Sequence, residues 1–586
     1  MTWVTRVKQA FSSREAFLKA IETREVDGEN KADFNEDLLP TEPERRSWGW
    51  VHFFTYYLTT SFSPTSYNLG ASLASIGLQW WHTLIASVIA SIFLSIVVVL
   101  NSRGATRYHV GFPVIARSSA GPRGAKFFIF VRGAVAVIFF STNLYYGGML
   151  MAILLRCIFG TAWDSIPNHL PADAGITSAN LLAFFIYWFF QMALMFVHPI
   201  MLRHIFIIKA FYCTIALFVV LGWAIHQNNG SIGNFNFDGQ VILSGSQLVW
   251  PMISAINSVC AALCPILINQ PDIARYAQQP YQATWSQTLG IFISKILIMF
   301  LSAGTTSAAQ GFLGTSYWNV WDLYDAILTT YWGPGARAGI FFACFGMVLA
   351  ILATNAGTNS LPAGADMSGL LPRYINIVRG QIICGLLGPL FFPWKIIANA
   401  SSFLTFLSSY TVFLMPICGI MVVDYWLIRH GNLHVPSLYS RELGTPYVYW
   451  KGWNLRAIAA WAVGTAFVIH GVAGRLDASL TGQASKDMYK LGFLLSFCMG
   501  AGVYYLGCLV FPERIYPEGR EGQPQTWEYM ADSEGFFEGE SLDTIRMRGG
   551  ILNGVKMERD IEREPSPLLQ QSFDNTMRLI GSAQLE

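Results

Sequence analysis

Apolar runs of membrane-crossing length alternate along the chain with short polar breaks, and the pattern predicts twelve membrane-spanning helices. The runs cover 50–74, 79–101, 126–157, 178–200, 204–226, 247–268, 284–306, 337–361, 379–394, 400–427, 456–473 and 488–511. The flanking stretches are polar. They predict an N-terminal tail over 1–47 and a C-terminal tail over 512–586, with one helical membrane domain, 48–511, between them. The fold class is therefore an all-α polytopic membrane protein.

Three runs carry polar residues in their interior. The first, "VHFFTYYLTTSFSPTSYNLGASLASIG", is crowded with hydroxyl side chains between Thr59 and Ser66, and Ser63-Pro64 predicts a break. The sixth, "MISAINSVCAALCPILINQPDIARYA", holds Pro265 in its middle and Pro271 near its end. The eighth ends in "TNAGTNSLPAGAD", with Thr354, Asn355, Thr358, Asn359 and Pro362. Proline removes a backbone donor and crowds the preceding turn. In lipid the freed carbonyls need partners, so such breaks persist only against protein, water or a ligand.

The first and sixth runs lie five apart. Interrupted helices at corresponding positions of two halves predict a secondary transporter built as a five-plus-five inverted repeat, with helices 1 and 6 discontinuous. The same offset matches the third run with the eighth. The third has one amide, Asn143, with Phe139 one turn earlier on the same face. Asn143 and Asn359 thus flank the two breaks and suit a small planar polar molecule. The same residues also fit plain helix-to-helix bonding, at about 0.6 kcal/mol per bond, with no ligand. Gly147-Gly148 predicts close helix packing.

Composition narrows the class. Charged residues are 13% and hydrophobic residues 53% of the 586, against about 25% charged in a soluble domain. The net charge of +2, with no basic patch, gives no footing for nucleic acid. The nine cysteines are scattered, without a CxxC pair or a histidine cluster, so no metal site and no cofactor are predicted. Without a nucleophile elbow or a buried carboxylate pair, nothing predicts an enzyme. Basic residues collect after the even-numbered runs: Arg103, Arg107, Arg117, Arg123 and Lys126, then Arg203 and Lys209, Arg275, Arg373 and Arg379, and Arg429, Arg441, Lys451 and Arg456. The positive-inside rule makes these loops and both tails cytoplasmic. Lys295 lies inside the seventh run, where it is expected to pair with Asp272 or Asp366 or to reach the interface. His198 is a further candidate for proton exchange. "LLPTEP" before the first run is a candidate latch onto cytoplasmic loops. "EPSPLL" at 564–569 has the form of an acidic dileucine signal, and Lys556 is a candidate ubiquitin acceptor, which makes sorting machinery a candidate partner of the C-terminal tail.

Several long motifs carry a resemblance. "NEDLLPTEPERRSWGW", "NQPDIARYA", "TNAGTNSLPAGADMSGLLPRYINIVRGQIIC" and "FLSSYTVFLMPICGIMVVDYWLIRHG" resemble the nucleobase:cation symporter family 1, in its fungal uracil/allantoin/uridine permease branch, over about residues 35–515. The resemblance implies the LeuT-like fold of the amino acid–polyamine–organocation superfamily, alternating access and cation-driven import across the plasma membrane. It places the substrate amide of the eighth span on Asn359. The family's third-span pair, an indole and a glutamine, falls on Phe139 and Asn143. The sixth-span stacking position falls on Leu263, which cannot stack, with Ala262 before it. The cation locus falls on Ala350, Ala353 and Thr354. Ala353 brings no hydroxyl, which favours protons over sodium. The expected activity is proton-coupled import of uracil, allantoin, or a related purine, pyrimidine or nucleoside. A vitamin-like heterocycle (thiamine, pyridoxine or nicotinamide riboside type) and a non-transporting nutrient receptor are the alternatives.

Overall fold

The computed structural model describes residues 35–41, 45–73, 78–196, 202–233, 243–440, 444–476 and 478–515, with isolated positions between 12 and 23. His198, Arg441, Lys556 and the 564–569 motif lie outside the described residues.

The described residues form helices joined by turns and short loops. The first span is the pair Trp50–Ser61 and Pro64–Ser72. Spans two to six are Trp80–Tyr108, Phe112–Phe159, Ser178–Met195, Leu202–Gln227 and Val249–Ala274. Spans seven to twelve are Trp285–Leu313, Pro334–Leu370, Ile377–Phe391, Ala400–Ile428, Leu455–Leu476 and Gly492–Val510. The twelve apolar runs thus each become a helix or a helix pair. The third extends further than its run, through a kink at Gly121 (φ 81°). Residues 355–360 of the eighth form a π-helical turn between two α-helical segments, a feature common at functional sites.

The two prolines read as breaks behave differently. In the first span Phe62 (ψ 81°) and Ser63 (φ −147°, ψ 156°) leave the helical region. Ser63 caps the outgoing helix by accepting from the Ser66 N–H, and Pro64 takes its first position, where no N–H is needed. The sixth span corrects the expectation at Pro265. Its helix runs without interruption from Val249 to Ala274. The reason is that side chains take the carbonyls the prolines release. Tyr410 Oη donates to the Ala261 carbonyl, four residues before Pro265. Asn101 Nδ2 donates to the Leu267 carbonyl, four before Pro271, at 2.7 Å. The device recurs: Asn269 Nδ2 reaches the Thr358 carbonyl before Pro362 at 3.3 Å, and Thr465 Oγ1 the Val412 carbonyl before Pro416 at 3.3 Å. Where lipid supplies no donor, these side chains do.

Two bodies of four helices follow from the polar contacts. Tyr57 Oη donates to Gln270 Oε1, Gln270 Nε2 to Gln287 Oε1 (2.6 Å) and Gln287 Nε2 to Ser102 Oγ (3.1 Å). This buried chain ties spans one, six, seven and two. Asn355 Nδ2 to the Phe140 carbonyl (3.2 Å), Ser141 Oγ to the Gly388 carbonyl (2.5 Å) and Trp188 Nε1 to the Gly385 carbonyl (2.8 Å) tie spans eight, three, nine and four. Each body draws two neighbouring spans from one half and their counterparts five positions later. Gly147 permits part of this packing, since a Cβ there would stand 2.1 Å from the Tyr187 ring.

Candidate functional site

The break in the first span faces the third. Thr65 Oγ1, in the first turn after the break, donates to Asn143 Oδ1 at 3.0 Å. Phe139, one turn away, meets Tyr410 edge-on (centroids 4.5 Å, planes 89°) and packs on Phe406 (5.0 Å, 37°). Asn143 and Phe139 are buried. On the eighth span Asn359 Nδ2 donates to Asn355 Oδ1 at 2.8 Å, and Asn355 holds the Phe140 carbonyl. Asn359 is therefore linked to the third span through Asn355. Leu263 is buried, while Ala262 keeps accessible surface. Both follow Ala261, whose carbonyl Tyr410 holds. Thr65 belonged to the hydroxyl-rich stretch legible in the sequence. Phe406 and Tyr410 carried no signal there, since aromatic residues are ordinary in a span.

Ala350, Ala353 and Thr354 lie together on the eighth span, all buried. Thr354 Oγ1 donates to the Ala350 carbonyl at 2.8 Å and accepts from Lys209 Nζ. This corrects the assignment of Lys209 to a basic loop. It lies inside the fifth span with 0% of its surface exposed. Its place five residues into an apolar run was the available signal.

We call the side that carries residues 35–41 the near face. There Arg132 of the third span binds Asp366 of the eighth (Nε at 2.8 and 2.9 Å) and Asp272 of the sixth (Nη1 at 2.7 Å). The other Asp272 oxygen accepts from the Phe112 N–H at 2.9 Å, beside Gly111, where a Cβ would crowd that carboxylate at 2.8 Å. Lys295 therefore pairs with neither aspartate, contrary to expectation. Among the described residues it bonds Ser66 Oγ at 3.4 Å, behind the break in the first span. Arg132 holds both carboxylates because its planar fork serves two acceptors at once. Nothing in the sequence singled it out.

Residues 35–41 lie across this face as a strap. Asn35 Nδ2 donates to Ser368 Oγ and to the Ile375 carbonyl (both 2.9 Å), and Asp37 accepts from the Ile377 N–H (2.9 Å). Arg275 donates to Thr41 Oγ1 (2.7 Å) and to the carbonyls of Asp37 (2.8 Å) and Leu39 (2.9 Å). The strap edges a cleft lined by Asp37, Leu38, Gly111, Asp272, Arg275 and Ala365. His109, between the second and third spans, accepts the Thr41 N–H on its carbonyl (2.8 Å) and donates from Nδ1 to the Arg275 carbonyl (3.0 Å). Burial pushes its imidazole down to about 3, helped by the charges of Arg46, Arg275 and Arg107.

On the far face the helix Val320–Thr330 closes over the third span. Trp321 stacks on Tyr146 (5.3 Å, 23°), and Trp318 packs on Phe403 (5.8 Å). Asn68 Oδ1 caps this helix by accepting from the Val320 N–H at 3.0 Å, joining it to the first span. At the rim Arg156 pairs with Asp164 (2.9 Å) and Asp325 (2.6 Å).

Residues 40–496 match the family model described as permease for cytosine/purines, uracil, thiamine, allantoin. The chain is 31% identical to the allantoin permease of Saccharomyces cerevisiae, covering 86% of this chain and 80% of that one. It is 31% identical to the uracil permease of the same yeast (87% and 81%), and 27% identical to one of its thiamine transporters (85% and 83%). Among solved structures it is similar to Mhp1, a nucleobase-cation-symport-1 family transporter, in a closed conformation with bromovinylhydantoin bound. The TM-score is 0.64 at 20% identity, covering 83% of this chain and 99% of that one.

Proposed function

Because the chain belongs to the family of permeases for cytosine/purines, uracil, thiamine and allantoin, we propose that it imports a nucleobase-like heterocycle across the plasma membrane by proton symport. The observation that carries the reading is the Thr65–Asn143 bond, which sets a buried amide against the broken end of the first span. Asn143 and Asn359 offer donor and acceptor to ring amides, and Phe139 offers a ring face. A ligand takes the place of Thr65 on Asn143 and of Asn355 on Asn359; the first of these bonds joins the two four-helix bodies, so its exchange loosens their contact. Rocking one body against the other then opens the site to either side in turn.

Lys209 supports protons as the coupling ion. An ammonium on Thr354 Oγ1 supplies at the cation locus the positive charge a sodium ion would bring, and Ala350 and Ala353 add only methyl groups. In this reading Lys209 Nζ holds the proton while the site is closed. It exchanges that proton with water once the site opens to the near face, and its bond to Thr354 is made and broken with that exchange. The near face carries the basic loops, which makes it the cytoplasmic side with both tails. C-terminal sorting signals would then meet the machinery that reads them.

The test is uptake of radiolabelled uracil, allantoin, uridine and thiamine, with external pH and sodium varied independently. Uptake that rises with acidity and ignores sodium is expected. Asn359→Ala should abolish uptake at normal surface level, and Lys209→Met should remove the pH dependence. Sodium-driven uptake that persists at constant pH would sink the coupling assignment. Wild-type uptake by Asn359→Ala would sink the site, and binding without counterflow in proteoliposomes would turn the reading to a receptor.

A further inference from the structure

The resemblance sets a second stacking residue on the sixth span, and this chain has Leu263 there. A flat ring lying on Phe139 alone would be held on one face. The tenth span supplies what the sixth lacks. Phe406 packs on Phe139 with centroids 5.0 Å apart and planes at 37°, and both rings contact Tyr410. Two links fix the register of the tenth span against the sixth. Tyr410 Oη holds the Ala261 carbonyl, and Ser408 Oγ lies 3.5 Å from Ser258 Oγ. The turn that carries Phe406 therefore stands beside the segment just before Ser258, and from there its ring reaches Phe139.

Accessibility separates the rings. Phe139 and Tyr410 are buried, whereas Phe406 keeps part of its surface accessible in a span that is mostly enclosed. Thr65 and Ala262 also keep accessible surface among buried neighbours. The Phe139–Phe406 contact is a closed wedge. A third ring between them needs about 7 Å, twice the carbon contact distance of about 3.5 Å, and a side-chain rotation of the freer Phe406 can provide it.

We infer that Phe406 is the second wall of the substrate clamp, and that the substrate is a flat, unsaturated heterocycle held between Phe139 and Phe406 with its polar edge on Asn143. This rests on the import reading above and adds the substrate's shape to it. Two phenyl faces reward a continuous π surface. They give nothing comparable to a ring with a tetrahedral carbon.

The test is direct binding to purified full-length protein, titrated with uracil, uridine, thiamine and allantoin. One of the first three is expected to bind more tightly than allantoin, whose ring carries a tetrahedral carbon; the reverse order overturns the flat-ring clamp. The tightest binder is then titrated into Phe406→Leu, Phe406→Met and Phe406→Tyr. Removing the ring should weaken binding about tenfold or more, while Phe406→Tyr stays within about twofold. Wild-type affinity in a Leu or Met variant that melts at the wild-type temperature overturns the clamp and leaves the import reading standing. If the Leu variant melts early, the Met and Tyr variants decide: equal affinities overturn the clamp, and retention by Tyr alone supports it. Binding of none of the four by the wild type removes the function proposed above, and the clamp with it.

Discussion

The near and far faces of the helical domain are closed by opposite chemistry. The near face is shut by directional polar bonds: Arg132 on two carboxylates, Arg275 on three strap oxygens, and His109 beneath Thr41. The far face is shut by stacked rings, Trp321 on Tyr146 and Trp318 on Phe403, with polar ties at Asn68 and at the rim. A strap bond exchanges with water at a net cost of only about 1 kcal/mol, so that closure can peel open. The buried Arg132 cluster is different, because half of it left behind is an uncompensated charge; it has to separate as a unit. The ring closure needs no charged partner and weakens gradually as apolar contact is lost.

Four substitutions or conditions would break or sharpen this contrast, from the largest effect to the smallest. Arg132→Met strands Asp272 and Asp366 in the interior, and a loss of about 3–5 kcal/mol is expected. It should read as a collapse of melting temperature in detergent; a melting point within a degree or two of wild type would mean the aspartates find other partners. Arg275→Met removes three charge-assisted bonds and should cost the docked strap about 2 kcal/mol. Amide exchange at 35–41 should accelerate, with the transmembrane helices unchanged. Trp321→Leu keeps apolar bulk but loses the stack on Tyr146, worth about 1 kcal/mol. A cysteine at position 65 should then react faster with an impermeant maleimide added on the far side.

The smallest effect is one of pH. The docked His109 ring is neutral, with its value pushed down to about 3. An undocked ring returns to about 6.5. Protons therefore bind His109 preferentially when the strap is undocked, so docking is strongest above pH 6.5 and weakens as pH falls from 6.5 toward 3. Amide exchange at 35–41, corrected for its intrinsic pH dependence, should show less protection at pH 5 than at pH 7. Unchanged protection would mean that the ring stays buried when the strap leaves.

Much of the scaffold was legible in advance. Runs of apolar residues must become helices in lipid, because no other local structure satisfies the backbone there. The polar cluster at Thr59–Ser66 and the amides at 143, 355 and 359 marked the interior seam for the same reason. The partners of charged side chains were not legible. Lys209 and Lys295 both sit inside apolar runs, yet one reaches Thr354 and the other Ser66. Arg132, which no motif marked, is the hub of three helices.

The clearest division lies between Pro64 and Pro265. By itself the amino-acid order determined where the spans lie along the chain and that the first is interrupted at Ser63-Pro64, where a cap and a proline act locally. Whether the sixth helix broke at Pro265 was decided only in three dimensions. A hydroxyl 145 positions beyond that proline, on Tyr410, reaches the carbonyl it had released, and no local pattern encodes a donor that arrives from another helix.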